Sequence, residues 1–330
     1  IFFFSAHLLL LLRAGGCGGG RPAAPPPPQL ANDGKIPIFL SSDDKYAPFI
    51  ASTISSILFN TKSYCDFYVL DGNITELNKD KIMQLKDKFN NFSIEFVEYD
   101  STLFKDMRIN VNPSFAAYAR FIIPVLKKDI KKCLYLDVDL VVCDDIKKLF
   151  CIDLQDKVIG AVCDRIDKPF SRLRQNSSKH VYFNSGVLLI DCEKWREQNI
   201  TQKLFEIEAR ERDNIIFQDQ DVLNIMFDNN YKILPLKYNL SNLCFKKLGH
   251  PTIIPSVIRA MAGCVIRHYV GPSKPWNVYK INSWGFNKFW FYMKMTVFYK
   301  QIRDDYVEKN KFENIKNPFK RIWKIIRVKF

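Results

Sequence analysis

The sequence lacks the patterns that define repeat proteins and small disulfide-rich or zinc-binding proteins. It has no internal repeat and no Cys-x-x-Cys pair, and its nine cysteines are an odd number. Several cysteines, including Cys133 and Cys143, stand within apolar runs. Reduced cysteine packs in a core as a small hydrophobic residue. We therefore expect free thiols in a core that folds in a reducing compartment.

The sequence also lacks a long apolar run at its start. Residues 1–12 are mostly apolar, which is short for a membrane span and typical of the hydrophobic part of a signal peptide. No Met and no basic stretch precedes them. We interpret this leader either as part of a signal-anchor or as an unrelated segment joined to a complete domain. Residues 13–35 are rich in Gly and Pro, which predicts a linker.

Acidic residues are too few to balance the basic ones, and the formal net charge is +14. Much of this charge lies in residues 311–330, which hold seven Lys and Arg against one Glu. The remaining body is mildly basic, which suits an anionic ligand such as a diphosphate. We expect no nucleic-acid partner.

The C-terminal segment has the spacing of a basic amphipathic helix. Five apolar residues recur at helical spacing among Lys and Arg: Phe319, Ile322, Trp323, Ile326 and Phe330. Such a helix binds the headgroup region of an anionic membrane, although a final helix packed on the domain would show the same pattern. We predict a protein on the cytoplasmic face of a membrane. The alternative is a secretory lumen, where the leader would act as a signal-anchor and the N-x-S/T sequons at Asn73, Asn91, Asn176, Asn199 and Asn239 would matter.

Between these ends, strand and helix patterns alternate. Strands are predicted at 36–41, 65–70, 94–98, 133–142, 158–163, 182–190 and 264–270. Helices are predicted at 46–60, 75–89, 112–126, 192–198, 201–212 and 219–228, with Asn112 and Pro113 starting the third. This alternation predicts an α/β fold with a mainly parallel sheet covered by helices on both faces. Ligands of such sheets bind beyond the carboxyl ends of the strands.

The clearest chemical signal is the run LYLDVDLVV, which contains Asp137 and Asp139. Two carboxylates inside an apolar run need compensation, and a spacing of two places them on the same side of a strand. A divalent cation would remove their repulsion, and hard oxygen ligands favour Mn²⁺ or Mg²⁺. Further along, His268 ends a predicted strand and Lys274 follows a turn at Gly271. An imidazole can complete a Mn²⁺ shell, and a lysine can neutralise a phosphate.

The same acidic pair permits a second interpretation. In a phosphotransferase of the haloacid dehalogenase type, Asp137 would be the nucleophile and Asp139 the general acid. That motif normally ends the first strand of its domain, whereas about 100 residues of α/β sequence precede it here. The later acidic pair that would complete such a site is not found. A non-catalytic nucleotide-sugar or nucleic-acid binding protein is a further alternative, supported mainly by the basic tail.

Six motifs in order resemble glycosyltransferase family 8, the retaining enzymes that include lipopolysaccharide galactosyltransferases and glycogenin. They are FLSSDDKYA, AAYARF, LYLDVDLVV, VYFNSGVLLID, FQDQDVLN and HYVGPSKPW, and they run from Ile36 to Trp276. The resemblance implies a GT-A type nucleotide-diphospho-sugar transferase fold, a UDP-hexose donor and Mn²⁺. It also implies a domain at 36–276, followed by a C-terminal helical region at 277–330.

The resemblance assigns a role to each matched residue. Metal binding falls to Asp137, Asp139 and His268. The donor nucleoside, diphosphate and sugar would be bound by Ser41, Asp43, Tyr46, Arg120, Val138, Asn184, Ser185, Gly271 and Lys274. Asp219 and Gln220 would lie beside the transferred sugar, and Asp164 near the acceptor, so the catalytic candidates are Gln220, Asp219 and Asp164. The expected reaction moves galactose or glucose from UDP to a saccharide or glycolipid acceptor, with retention of configuration.

Overall fold

The protein contains a mixed seven-stranded sheet flanked by helices. The computed structural model describes residues 34–109, 115–164, 181–241, 244, 254–277 and 285–309. In chain order, the strands of the large sheet are β1 (Ile36–Asp43), β2 (Cys65–Gly72), β3 (Phe92–Val97), β4 (Lys132–Leu136), β6 (Ile159–Cys163), β7 (Phe183–Asp191) and β8 (Lys232–Ile233). A smaller three-stranded sheet is formed by β5 (Leu140–Val142), β9 (Leu240–Ser241) and β10 (Ile266–His268).

The large sheet has the spatial order β3-β2-β1-β4-β7-β6-β8. β1, β2, β3 and β4 run parallel to one another, while β7 is antiparallel to both of its neighbours, β4 and β6. In the small sheet, β10 pairs antiparallel with β5 and parallel with β9. The α/β fold class with a mainly parallel, mixed sheet is therefore confirmed.

Helices cover both faces of the large sheet. They are α1 (Ala47–Asn60), α2 (Glu76–Met83), α3 (Ile123–Leu126), α4 (Lys147–Phe150), α5 (Cys192–Glu197), α6 (Ile200–Glu211), α7 (Gln218–Phe227), α8 (Ile254–Ala262), α9 (Phe286–Met293) and α10 (Tyr299–Lys309). Short 3-10 helices lie at Asp44–Tyr46, Gln84–Asp87, Ser101–Phe104, Phe115–Ile122, Arg212–Asn214 and Leu236–Tyr238.

Alternate residues of β1 enter two separate cores. Ile36, Ile38 and Leu40 belong to one buried cluster together with residues of α1 and α9, whereas Phe39 belongs to a second cluster that includes residues of α6 and α7. All four are fully buried, and each buried side chain of this kind stabilises the fold by about 1.5–3 kcal/mol. Because successive residues of a strand point to opposite faces, a strand buried on both sides reads as a continuous apolar run.

The predicted single strand at 133–142 is wrong, because residues 137–139 interrupt it. β4 ends at Leu136 in the large sheet, and β5 begins at Leu140 in the small sheet. The residues on both sides of the bend are apolar and have strand propensity. The sequence pattern therefore does not show that the chain passes from one sheet to the other. The interruption has a functional consequence, since the two carboxylates lie at the junction of the two sheets.

The predicted helix at 112–126 differs in type and extent. Its proposed start at Asn112 and Pro113 lies outside the described residues. The chain forms a 3-10 helix at Phe115–Ile122 and only one α-helical turn at Ile123–Leu126. Pro124 stands in the first turn of α3. It has no N–H to bond to the preceding helix, so a continuous α-helix cannot pass through it.

The helices after residue 276 pack on the same core as β1. The Trp276 ring stacks on Phe49 with centroids 3.8 Å apart, and Phe289 of α9 lies 5.0 Å from Trp276. Within the described ranges, no helix has the length and apolar character needed to cross a membrane. The apolar leader at 1–12 and the basic segment at 311–330 lie outside those ranges.

Candidate active site

The two carboxylates lie where the large and small sheets meet. The backbone N–H of Asp137 donates to the Gly186 carbonyl of β7 at 2.8 Å, and the Asp139 carbonyl accepts from the Tyr269 N–H at 2.9 Å. Asp137 is thus held by the large sheet, while Asp139 is held beside the last residue of β10. This junction lies just beyond the carboxyl end of β4, where α/β sheets place their ligands.

Asp137, Asp139 and His268 converge. One ligand atom from each can be chosen so that all lie within 4.8 Å of one another. The Nε2 atom of His268 is 2.9 Å from an Asp139 oxygen and 3.7 Å from an Asp137 oxygen. Two carboxylates and one imidazole are a donor set suited to a divalent cation such as Mn²⁺.

The backbone of β7 leaves room for this group. Gly186 has no side chain, and a Cβ added there would overlap both the Asp137 carboxylate and the Cε1 atom of His268. The glycine therefore allows the carboxylate and the imidazole to approach each other against the strand. The three residues fit a shared cation in both chemistry and space.

Two positively charged side chains, Lys274 and Arg120, flank Asp137 and Asp139. The Lys274 ammonium pairs with Asp139 and also donates to the Tyr269 carbonyl at 2.7 Å. Burial alone would raise the pKa of Asp139, but the charges of Lys274 and His268 outweigh it and hold that pKa well below its ordinary value. Asp139 is therefore ionised at neutral pH, as a metal ligand must be.

Arg120 links the acidic group to a second buried carboxylate. Its guanidinium lies 3.0 Å from Asp137 and 3.1 Å from Asp219, and it also donates to the Ser185 carbonyl at 2.7 Å. The Tyr135 ring stacks beneath it, 4.2 Å from ring centroid to Arg120 Cζ. Burial would lower the pKa of Arg120, but Asp219, Tyr135 and Asp137 more than offset it and raise that pKa.

The residues predicted beside the transferred sugar form one buried network. The Ser185 hydroxyl donates to Asp219 at 2.8 Å, and the Asn184 amide donates to the Gln220 oxygen at 2.9 Å. Burial raises the pKa of Asp219 to about 6, because the lowering effect of Arg120 is only partial and Asp137 adds a raising one. Arg120 contacts this network through the Asp219 carboxylate and the Ser185 carbonyl.

Of the residues predicted to bind the nucleoside, Ser41 and Asp43 lie at the end of β1, Tyr46 ends the following 3-10 helix, and Val138 lies just beyond β4. Ser41 donates to the Ala116 carbonyl at 2.7 Å, and the Asp43 carboxylate accepts from the Tyr46 N–H at 3.2 Å. Burial raises the pKa of Tyr46, and the neighbouring charges of Lys274 and Asp139 also act on it. Val138 is partly buried, and its carbonyl accepts from Thr53 at 3.2 Å. The loop after β1 therefore adjoins the acidic group.

Gly271 and Asp164 complete the set of predicted residues. Gly271 is exposed and has φ +80°, a left-handed conformation that glycine adopts without strain and that allows the turn leading to Lys274. Asp164 follows β6, and its N–H donates to the Tyr182 carbonyl at 2.7 Å. Burial and the charge of Asp221 raise the pKa of Tyr182, and the charge of Asp164 adds a smaller contribution in the same direction. The described contacts do not link Asp164 to the metal ligands.

The sequence did not reveal two buried residues of this site. The side-chain oxygen of Asn239 lies 2.9 Å from His268 Nδ1, where it can only accept, and Tyr135 donates to Asp137 at 3.0 Å. The sequon at Asn239 pointed instead to a glycan, but the side chain is only 3% exposed and bonded at both ends. The spacing of two between Tyr135 and Asp137 on one strand side was the available signal for the tyrosine.

Comparison with solved structures defines the class of protein. The galactosyltransferase LgtC, crystallised with donor and acceptor sugar analogues, superposes with a TM-score of 0.70 and 26% identity over 79% of this chain and 96% of LgtC. This protein is therefore a glycosyltransferase with a GT-A type fold. The profile described as "Glycosyl transferase family 8" matches residues 37–280, and the chain belongs to that family.

Curated relatives extend the similarity. General stress protein A of Bacillus subtilis is 32% identical over 258 residues, which span 75% of this chain and 90% of that protein. A lipopolysaccharide 1,2-glucosyltransferase of Escherichia coli is 28% identical over 263 residues, spanning 73% of this chain and 77% of the relative. The haloacid-dehalogenase and non-catalytic alternatives are not favoured by these matches.

Proposed function

We propose that the protein is a retaining hexosyltransferase that moves galactose or glucose from a UDP-sugar to a saccharide or glycolipid acceptor, with Mn²⁺ assisting the departure of UDP. The observation that carries the proposal is the convergence of Asp137, Asp139 and His268 within 4.8 Å, flanked by Lys274 and Arg120. A site with both carboxylates and fixed cations suits a donor that combines a metal-bound diphosphate with a polar sugar.

Asp137, Asp139 and His268 would hold the cation. When bound, Mn²⁺ would supply a Lewis acid that stabilises the negative charge developing on the departing diphosphate, and Mg²⁺ could replace it. Lys274, which follows the turn at Gly271, adds a fixed positive charge beside Asp139. These groups stabilise charge that develops mainly in the transition state, which is the condition for a higher rate.

The remaining predicted residues divide between the two ends of the donor. Ser41, Asp43, Tyr46 and the backbone at Val138 would bind the uracil and ribose at the carboxyl end of β1. Asn184, Ser185 and Asp219 would bind hydroxyls of the sugar, with Arg120 reaching either the sugar or the diphosphate. Gln220 would position the sugar, and Asp164 would lie on the acceptor side. These assignments rest on motif matches and on the contacts described above.

A donor screen with purified protein tests the proposal. UDP release is measured with UDP-galactose and UDP-glucose, in Mn²⁺ and in excess chelator. We expect release with at least one donor only when metal is present. The double substitution of Asp137→Asn and Asp139→Asn should abolish it, whereas Asp80→Asn, at an exposed position on α2, should not. Release by the double variant, or none by the parent protein with either donor, would contradict the proposal.

The proposal also covers the acceptor and the cellular location. A relative is named a lipopolysaccharide glucosyltransferase, which supports a saccharide or glycolipid acceptor. The basic segment at 311–330 supports peripheral attachment to an anionic membrane on its cytoplasmic face. Sedimentation with anionic liposomes tests this, because removal of residues 311–330 should reduce pelleting. Equal pelleting with and without the segment would remove the membrane part of the proposal.

A further inference from the structure

A chain of buried hydrogen bonds crosses the site from the imidazole of His268 to a carboxylate on α7. Its members, each joined to the next by a side-chain hydrogen bond, are His268, Asn239, Asn184, Gln220, Tyr182 and Asp221. The successive distances are 2.9, 2.7, 2.9, 2.9 and 2.8 Å. All six residues are buried. The chain thus joins a candidate metal ligand to the predicted sugar pocket.

Backbone amides fix the orientation of two members of this chain. The Gly186 N–H donates to the side-chain oxygen of Asn184, and the Ser185 N–H donates to the side-chain oxygen of Gln220, both at 3.1 Å. A backbone N–H can only donate. The amide oxygens of Asn184 and Gln220 must therefore face β7.

The far end of the chain is fixed in the same way. One oxygen of Asp221 accepts the backbone N–H groups of Ile216 and Phe217 at 2.7 and 2.9 Å. Its other oxygen accepts the hydroxyl of Tyr182 at 2.8 Å. A carboxylate has no proton to give, so the hydroxyl must donate to it and accept from the Gln220 amide nitrogen. The donor and the acceptor of each hydrogen bond between Asn184 and Asp221 are therefore determined.

This direction determines how Asn239 is placed. Because the Asn184 oxygen is an acceptor, the amide nitrogen of Asn239 must donate to it. The oxygen of Asn239 then faces the Nδ1 atom of His268. An oxygen acceptor requires a proton on Nδ1. With the proton on Nδ1, the lone pair of Nε2 would be available to a cation held by Asp137 and Asp139, whereas without a cation the 2.9 Å contact with Asp139 needs a proton on Nε2 as well.

We propose that Asn239 is a positioning residue that sets the tautomer of His268 and couples it to the amide of Asn184. The inference rests on the proposed function for its link to catalysis, but its effects on the tautomer and on metal affinity need no turnover. Metal-binding histidines generally use the other ring nitrogen as a donor to a fixed acceptor, which orients the ring. In this protein that acceptor is Asn239, which also donates a hydrogen bond to Asn184, one of the residues predicted to line the sugar pocket.

Two substitutions separate the two halves of this role. Asn239→Leu is close in size and removes both the acceptor for His268 and the donor to Asn184. Asn239→Asp keeps an acceptor for Nδ1 but cannot donate to Asn184. Asn60→Leu is a control, because Asn60 is also bonded by its amide nitrogen to Ser56, Val142 and Tyr292 but has no contact with the site.

The first measurement is ¹⁵N NMR of the histidine rings with Mg²⁺ bound, because Mg²⁺ is diamagnetic and occupies the position where Asp139 would otherwise accept a proton from Nε2. The chain has four histidines, and loss of a signal in His268→Gln assigns the relevant ring. We expect a proton on Nδ1 in the parent protein, in Asn60→Leu and in Asn239→Asp. In Asn239→Leu at the same Mg²⁺ concentration, weaker metal binding should leave a proton on Nε2, which Asp139 accepts.

The second measurement is Mn²⁺ affinity by titration calorimetry, without donor. We expect Asn239→Leu to weaken binding by roughly 10- to 100-fold, the usual cost of losing such a partner. Asn239→Asp should bind Mn²⁺ at least as tightly as the parent. It should instead raise the KM for the donor, since Asn184 has lost its partner.

Three results would overturn the proposal. They are an Nε2-protonated ring in the parent protein, a tautomer and Mn²⁺ affinity unchanged in Asn239→Leu, and loss of the Nδ1 proton in Asn239→Asp. If Asn239→Leu does not fold, Asn239→Asp still decides, because it should keep the proton on Nδ1 and nevertheless raise the KM for the donor. Absence of UDP release by the parent protein would overturn the proposed function, while the NMR and calorimetric results would stand independently.

Discussion

The Asp139 carboxylate lies 2.9 Å from the imidazole of His268, although the two residues are 129 positions apart in the chain. The contact is held by pairing of β5 with β10, in which His268 stands opposite Leu140. The small sheet therefore places His268 next to Asp139. Changes at this contact should affect metal binding more than folding.

Asp139→Asn should abolish most of the affinity for Mn²⁺. The amide keeps the size of the side chain but removes a charge that the cation requires. The loss should exceed the roughly 10- to 100-fold typical of an outer partner. Ligand binding to the folded state raises the melting temperature, so the stabilisation by Mn²⁺ seen in a thermal shift assay should vanish in this variant. It should persist in Asp80→Asn, and an undiminished shift in Asp139→Asn would exclude Asp139 as a ligand.

Gly186→Ala should impair the metal site through shape alone. A Cβ there would overlap Asp137 and His268, so one of them must move away from the other. Mn²⁺ affinity should fall at least tenfold while circular dichroism still reports a folded protein. Gly263→Ala is the matched control, because the nearest atom to its added Cβ is 3.8 Å away. Equal Mn²⁺ affinity in both variants would show that the close approach at Gly186 is unimportant for the cation.

The sequence predicted part of this site for clear physical reasons. Asp137 and Asp139 were visible because acidic residues within an apolar strand demand compensation. The interruption of the strand at these residues was not visible, since LVV has the same strand propensity as LYL. Asn239 was missed for a different reason. Its two partners lie 55 and 29 positions away in the chain, and no local pattern reports a contact between β9, β7 and β10.

Arg120→Met should be strongly destabilising. Arg120 is the cation between Asp137 and Asp219, and its side chain is only 5% exposed. Breaking a buried pair leaves an unpaired charge and typically costs about 3–5 kcal/mol. Urea denaturation of the metal-free protein measures this change in the free energy of unfolding. Adding Asp219→Asn to the variant should recover part of the loss, since it removes one of the carboxylates left without its cation.

The control for Arg120 is Arg303→Met. Arg303 pairs with Asp304 on the surface at 2.8 Å, and exposed ion pairs contribute little to stability. A cost for Arg120→Met as small as that of the control would mean that the two site carboxylates do not depend on the guanidinium in the metal-free protein.

Asp219 should give the metal-free protein a distinctive dependence of stability on pH. Its pKa is raised from 3.8 to about 6 by burial, so the folded protein holds this proton more tightly than the unfolded chain. The free energy of unfolding contributed by this group is therefore highest below pH 4 and falls as pH rises through about 6. At 1.36 kcal/mol per pKa unit, the total change is about 3 kcal/mol.

Asp219→Asn removes that titration. The free energy of unfolding of the variant, minus that of the parent protein, should increase between pH 4 and pH 6.5 and then level off. Urea denaturation at a series of pH values in chelator measures the difference, because groups that titrate alike in both proteins cancel. Asp80→Asn should give a flat difference over the same range. A flat difference for Asp219→Asn as well would mean that Arg120 neutralises the carboxylate fully, so that burial no longer determines its protonation.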